Sequence, residues 1–428
     1  MVLREGVSVR SISRIPGPPG FGGHPPGTSS LRSRSASPAS AIHLGMLITT
    51  SSALLEFCHA LRGAPYIAVD TEFLREKRYY AQLCLVQVAY GDHAACIDPL
   101  APGIDLSPLR ELLMDESSIK VLHSATQDLE IFLQILGAVP TPIFDTQIAA
   151  SVCGLGEQPG YASLVQAMLD IRIDKSSQAT DWSRRPLSQR QLDYALSDVT
   201  HLCKVYEILV AKLERTGRTA WVSEEMEALH NPDRYVQDPW TAWQRIRIRR
   251  ADRKALAVLR ELAAWRERQA VARNLPRNWV IHNDALSEIA QTRPRTVEKL
   301  ARVRRLKDAV ARGRDGAKLL ACIERALASP EADWPPSKKT ARALSGHEDL
   351  VLLLRTLLHR ECAAHEVAPS LVAGKRDLER IATEDEPDLP ALQGWRREVF
   401  GAKALALCAG RLALTGGQGK VVEVSTDS

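Results

Sequence analysis

No apolar run in this chain of 428 residues reaches the roughly 18 residues that a membrane-spanning helix needs. No two cysteines stand in a C-x-x-C spacing. The 8 cysteines (Cys58, Cys84, Cys96, Cys153, Cys203, Cys322, Cys362 and Cys408) are scattered, mostly among apolar neighbours. They read as buried, reduced thiols and give no zinc site. Acids are nearly missing from residues 1–45, where Glu5 stands alone among Gly, Pro, Ser and Arg. That stretch also lacks the apolar core of a secretory signal. Its composition cannot build a hydrophobic core, so we read 1–45 as a disordered extension or a mis-assigned start, with globular sequence opening at Met46. An Arg-rich, Ser-rich, acid-poor start also fits an organelle transit peptide. Together these absences point to a cytosolic protein with no membrane segment.

What is present is ordinary for a folded chain: 45% hydrophobic and 25% charged residues. A net charge of +5 and a pI of about 8.7 are compatible with nucleic-acid binding. At about 150 residues per domain the length suggests about three domains. Tyr66 to Val69 reads as a buried strand ending in two carboxylates, Asp70 and Glu72. Leu83–Tyr90 and His93–Asp98 read as a hairpin around Gly91-Asp92. Short strands are expected at Ile119–Leu122 and Ile143–Asp145. Helices are expected at Ala53–Arg62, Leu106–Met114, Ala125–Leu136, Thr146–Cys153 and Ser188–Leu213. Strands interleaved with helices indicate an α/β domain. Beyond it the patterns are only helical, with Leu256, Leu259, Leu262 and Trp265 in one apolar stripe. Asp284 is expected to cap a helix, Ala402–Leu412 to form the last helix, and the tail from Gly416 to be frayed.

The chemistry lies in carboxylates. Asp70 and Glu72 are two apart, so a strand points both to one side. Asp128 falls in the first turn of a helix after a buried strand, where an α/β domain keeps its ligand crevice. Tyr194 and Asp198 stand at i and i+4 on one helix face. Each has a plainer reading alone: a strand-end acid, a helix-dipole acid, a core aromatic, a surface acid. In one pocket, four carboxylates need cations. Two Mg²⁺ or Mn²⁺ ions about 4 Å apart would satisfy them and clamp a phosphodiester. Tyr194 is placed to orient a nucleophilic water.

Val69-Asp-Thr-Glu-Phe73, Leu122-His-Ser-x-x-x-Asp128 and Tyr194-x-x-x-Asp198 resemble the three exonuclease motifs of the DEDD superfamily, and the tyrosine resembles its DEDDy branch. Leu83-Cys-Leu-Val-Gln87, Phe144-Asp-Thr-Gln147 and Gln178-Ala-Thr-Asp-Trp182 through Leu187 resemble the ribonuclease D family. The stretch from Leu262 through Asn274-Leu-Pro and Asp284 to Gly316 resembles the helical HRDC domain, and 346–413 resembles a degenerate second copy. The resemblance implies an α/β ribonuclease-H-like exonuclease domain followed by two all-α HRDC bundles. The boundaries expected are 46–222 for the exonuclease, 223–250 for a helical connector, 251–332 for the first HRDC domain, 333–345 for a linker, 346–413 for the second and 414–428 for a tail. It further implies a 3′→5′ exoribonuclease releasing nucleoside 5′-monophosphates, with Asp70, Glu72, Asp128 and Asp198 binding metal and Tyr194 positioning water. The implied substrates have a single-stranded 3′ end, such as tRNA precursors and other small structured RNAs. No obligate protein partner is evident.

Two basic clusters, Arg245 to Lys254 and Lys299 to Arg314, offer phosphate contacts, Arg304 and Arg305 among them; a solvated helix face is the plainer reading. Trp182 beside Arg184 and Arg185 would stack a terminal base and hold its phosphate, or Trp182 belongs to the core. The rival functions are a DEDD enzyme acting on DNA ends and a non-catalytic RNA-binding protein that kept the fold.

Overall fold

The computed structural model describes residues 44–249, 251–336, 346–385 and 387–425. Most of the expected extension, and 337–345 of the expected linker, lie outside the described residues.

Six strands form one mixed sheet: β1 (Leu44–Ile48), β2 (Tyr66–Leu74), β3 (Gln82–Tyr90), β4 (His93–Ile97), β5 (Ile119–Leu122) and β6 (Ile143–Asp145). Their order is β1-β4-β3-β2-β5-β6. β3 runs antiparallel to β2 and β4, while β1–β4, β2–β5 and β5–β6 are parallel pairs. Ile67, Ala68 and Val69 are fully buried, as a central strand covered on both faces requires. Around the sheet lie α1 (Ser51–Ala60), α2 (Ser107–Met114), α3 (Thr126–Leu136), α4 (Thr146–Val152), α5 (Tyr161–Leu169), α6 (Gln189–Thr216) and α7 (Thr219–Glu227). The expected hairpin and the strands at Ile119 and Ile143 are where their patterns put them. Ser188 caps α6 in a full capping box with Gln191. Helix α5 and strand β1 were not expected. β1 begins at the edge of the Gly/Ser-rich start, and α5 is short and follows a Gly/Pro-containing loop. Val222 and Met226 of α7 pack into the sheet's core, so the element at the expected 222 boundary belongs physically to the α/β domain.

The second core is helical and gathers on α8 (Arg253–Arg273). Leu256, Leu259, Leu262 and Trp265 are all buried. The helix Asn283–Thr292 is capped by the His282 ring, which accepts from the Asp284 amide. Asp284 sits inside the first turn instead of capping it, its charge still favourable at that end. A third core joins Leu354, Leu357, Trp395 and Phe400 from the helix Glu348–Ala364 onward. The last helix stops at Cys408, not Leu412, and the chain turns into a hairpin, β7 (Leu412–Gly417) and β8 (Lys420–Ser425). Gln418 and Gly419 both take positive φ, the conformation of a tight two-residue hairpin turn. The segment expected to fray is therefore strand through Ser425; its glycines hide the alternation of valines.

Candidate active site

Strand β2 carries Asp70 and Glu72 out of the core at its C-terminal end, where the β2–β3 register shifts between Glu72 and Phe73. Such a bulge re-aims side chains. The long helix α6 crosses behind β2 and β3 and supplies Asp198 and Tyr194. One carboxylate oxygen from each of Asp70, Glu72 and Asp198 lies within 4.8 Å of the others. They line a cavity of about 190 Å³ with His123, Tyr161, Gln178 and Tyr194, and no lysine or arginine is among its described lining residues. Asp128 stands outside that trio of oxygens. It is buried at the start of α3 and accepts a short hydrogen bond from the Thr71 hydroxyl.

The turn that presents Asp128 is held by another acid. The buried Asp145 carboxylate accepts from the amides of Ser124 (3.0 Å), Ala125 (2.8 Å) and Gln147 (2.8 Å). Ser124 has positive φ, and this clamp holds it there. His123 reaches the Thr146 hydroxyl at 3.0 Å, which agrees with a turn-holding role.

The electrostatics follow from this crowding. Burial, then repulsion from Asp70, Asp198 and Asp128, pushes Glu72 up to about 9. Burial and then Asp70 push Asp198 up to about 8. Asp70 and Asp128 are also raised, both first by burial, and Asp128 next by the charge of Asp70. Like-charged acids in one dry pocket cannot all ionise unaided. Asp198 Oδ1 is buried and has no hydrogen-bond partner among the described residues. An all-oxygen, acid-rich donor set with an orphaned lone pair suits a hard divalent cation, so the residues fit divalent-metal use. Tyr194 is raised by burial first and then by Asp198, so its hydroxyl stays protonated.

Trp182 is 1% exposed and cannot stack a substrate base. The core reading is the right one: its ring lies 6.2 Å from that of Tyr194 and packs with Cys84, Leu85 and Ala195. Arg185 is likewise committed. Its guanidinium donates to both Asp98 oxygens at 2.6 Å and to the carbonyls of Cys84 and Trp182. Arg184 is exposed and pairs with Asp181. Arg304 and Arg305 are exposed in the helical domain, with Arg305 against Asp284 at 3.1 Å. Tyr161 was missed by the sequence reading; its hydroxyl donates to the Asp198 carbonyl in a short bond.

Residues 46–214 match the family model described as 3′-5′ exonuclease, and 255–323 match the HRDC domain. The chain is 49% identical over 382 residues to ribonuclease D of Granulibacter bethesdensis, covering 89% of this chain and 96% of that protein. It is 47% identical to ribonuclease D of Gluconacetobacter diazotrophicus, covering 86% and 94%. The crystal structure of Escherichia coli RNase D, an exoribonuclease involved in structured RNA processing, superposes with a TM-score of 0.74 at 33% identity, covering 85% of this chain and 98% of that one. The chain belongs to the ribonuclease D family: it is a 3′→5′ exoribonuclease with a mixed α/β exonuclease domain and a helical HRDC region.

Proposed function

We propose that Asp70, Glu72, Asp128 and Asp198 hold two divalent cations, Mg²⁺ or Mn²⁺, and that Tyr194 positions the water that attacks the last phosphodiester of an RNA. The observation that carries this reading is the convergence of three carboxylates within 4.8 Å in a pocket with no lysine or arginine among its described lining residues. Bound cations supply charge neutralisation and Lewis acidity at the phosphate. The protein's own groups do the rest. Tyr194, protonated and braced by Trp182, orients water through its hydroxyl but does not take its proton. Asp145 fixes the turn that offers Asp128. Tyr161 ties α5 to the α6 backbone at Asp198. The substrates are structured RNAs with a single-stranded 3′ end, tRNA precursors among them, processed in the cytoplasm. Residues 346–413 act as a second HRDC-like bundle, and 46–222 and 251–332 as the exonuclease and first HRDC domains.

The test is a 5′-labelled hairpin RNA with a single-stranded 3′ tail. Mg²⁺ should give a ladder that shortens from the 3′ end and stops near the duplex, and EDTA should abolish it. Binding without cleavage would instead favour a non-catalytic RNA-binding protein. Faster removal from a matched DNA would favour a DNA exonuclease.

A further inference from the structure

Outside the carboxylate pocket, cationic groups concentrate where the exonuclease domain meets α8. A notch of about 330 Å³ is lined by Arg75, Arg78, Arg245, Arg266 and Arg277, and Glu267 is its one acidic lining residue among those described. These side chains come from the exit of β2, the loop to β3, the turn Ala242–Arg245, α8 and the short helix Arg277–Val280.

Two of the five arginines are offset. Arg277 donates to both Glu267 oxygens, at 2.7 and 2.6 Å, and Arg75 pairs with Glu130 at 2.9 Å. Arg78 and Arg245 are exposed and have no ion pair among the described residues. Arg266 is 3% exposed. It donates to the Ile281 carbonyl at 3.2 Å and to Asn283 Oδ1 at 2.6 Å, but its Nε is buried without a partner. A buried cation with an unused donor favours an anion beside it.

The notch is next to the chemistry along the chain. Arg75 follows Glu72 by three residues on the strand exit, and Glu130 follows Asp128 on α3. Arg75, Tyr79, Arg245 and Arg277 also line a cleft of about 1030 Å³, which Arg234 and the acids Glu130, Asp233 and Asp238 line as well, so the notch is continuous with a larger cleft.

We propose that this notch is a phosphate subsite that holds a backbone phosphate of the RNA upstream of the nucleotide being removed. The proposal rests on the exoribonuclease reading above. Arg75, Arg266 and Arg277 have partners in the fold and build the wall; the Arg78 and Arg245 side chains have no ion pair among the described residues and are left for the ligand.

The test is the full-length double variant Arg78→Ala/Arg245→Ala, assayed with Mg²⁺ on a hairpin RNA with a long 3′ tail and on a dinucleotide without a 5′ phosphate, whose single phosphodiester is the scissile one and leaves no upstream phosphate for the notch. The expected result is a KM about tenfold higher for the tailed RNA, with a salt dependence shallower by about 1.4 for two lost contacts to a single strand. The dinucleotide should be hydrolysed as by the wild type. Arg78→Lys/Arg245→Lys should recover most of the loss. If the wild type degrades RNA but the double variant keeps its KM and salt slope, the notch proposal fails alone. Equal loss on the dinucleotide also overturns it, since the defect would then lie in the catalytic pocket. A wild type that degrades no RNA overturns the function reading itself. Equilibrium dialysis with inorganic phosphate separates the two sources of the group. Saturable binding lost in the variant, with RNA kinetics unchanged, would assign the notch to free phosphate and overturn the RNA subsite.

Discussion

Glu72 concentrates the electrostatic cost of the site: its carboxyl keeps its proton to about pH 9, against an ordinary value of 4.5, because of burial and three neighbouring acids. The sign of the consequence follows from proton counting. Between the unfolded and folded pKa values the native state holds more protons than the unfolded chain, so stability falls as pH rises through that window. Asp70, Asp128 and Asp198 shift the same way. In EDTA, the melting temperature should therefore fall from about pH 5.5 to about pH 8.5, and Mg²⁺ should restore most of it at the upper end by taking the place of the protons. A flat melting profile in EDTA would sink the idea that these acids are strained. Asp70→Asn should flatten that profile, keep the fold by circular dichroism and cut kcat by at least about 10³-fold. Tyr194→Phe keeps the ring on Trp182 and removes only the hydroxyl. Its kcat should fall about 10²-fold with KM nearly unchanged, as the loss of a water-orienting group predicts. A rise in KM at constant kcat would make Tyr194 a binding residue.

Trp182 shows how a residue outside the three carboxylate-bearing motifs packs against one that lies within them. The loop before α6 buries its indole against the base of Tyr194, and Arg185 locks the same loop to Asp98 and to β3 through the Cys84 carbonyl. Trp182→Ala should cost about 3–5 kcal/mol of stability and lower kcat further than the lost stability explains, because Tyr194 loses its backing; chemical denaturation and kinetics on one preparation check both. Nothing in the residue types alone separated this role from base stacking, since Trp beside two Arg fits both. The burial that decides it is a tertiary fact. By contrast β2, β5, β6 and α6 were legible, because a run of apolar residues ending in an acid and a Ser-x-x-Gln cap are local signals. The trio Asp70, Glu72 and Asp198 was legible by spacing and order. The role of Asp145 was not: Phe144-Asp-Thr-Gln147 reads as one more strand end, and only the fold brings the Ser124 and Ala125 amides to it. Helix α5 and the final hairpin escaped because short, glycine-flanked segments give weak periodicity.

At the scale of the molecule, the first and third cores meet at a seam of specific side-chain contacts. Trp221 of α7 stacks on Trp395 with ring centres 4.6 Å apart and planes 11° apart. The Arg396 guanidinium bridges the carboxylates of Glu224 and Glu225 and donates to the Leu371 carbonyl at 2.7 Å. Arg218 reaches across the same seam to the Glu366 carbonyl at 3.0 Å, while the Ala368 amide donates to the Ser151 carbonyl at 3.1 Å. The Arg396 and Glu225 side chains are only 12% and 14% exposed, and burial raises the Glu225 carboxyl despite its partner. Removing the cation therefore leaves a desolvated acid unpaired, a loss of about 3–5 kcal/mol when a buried pair is broken. Arg396→Ala should weaken the coupling between the exonuclease domain and the C-terminal unit. Calorimetry should then resolve a separate, earlier transition for residues 346–425, with the exonuclease transition nearly unmoved and dinucleotide hydrolysis retained. A single transition at the wild-type temperature would mean that the stacked tryptophans hold the seam without the arginine, and Trp395→Ala in the same background would then have to split it.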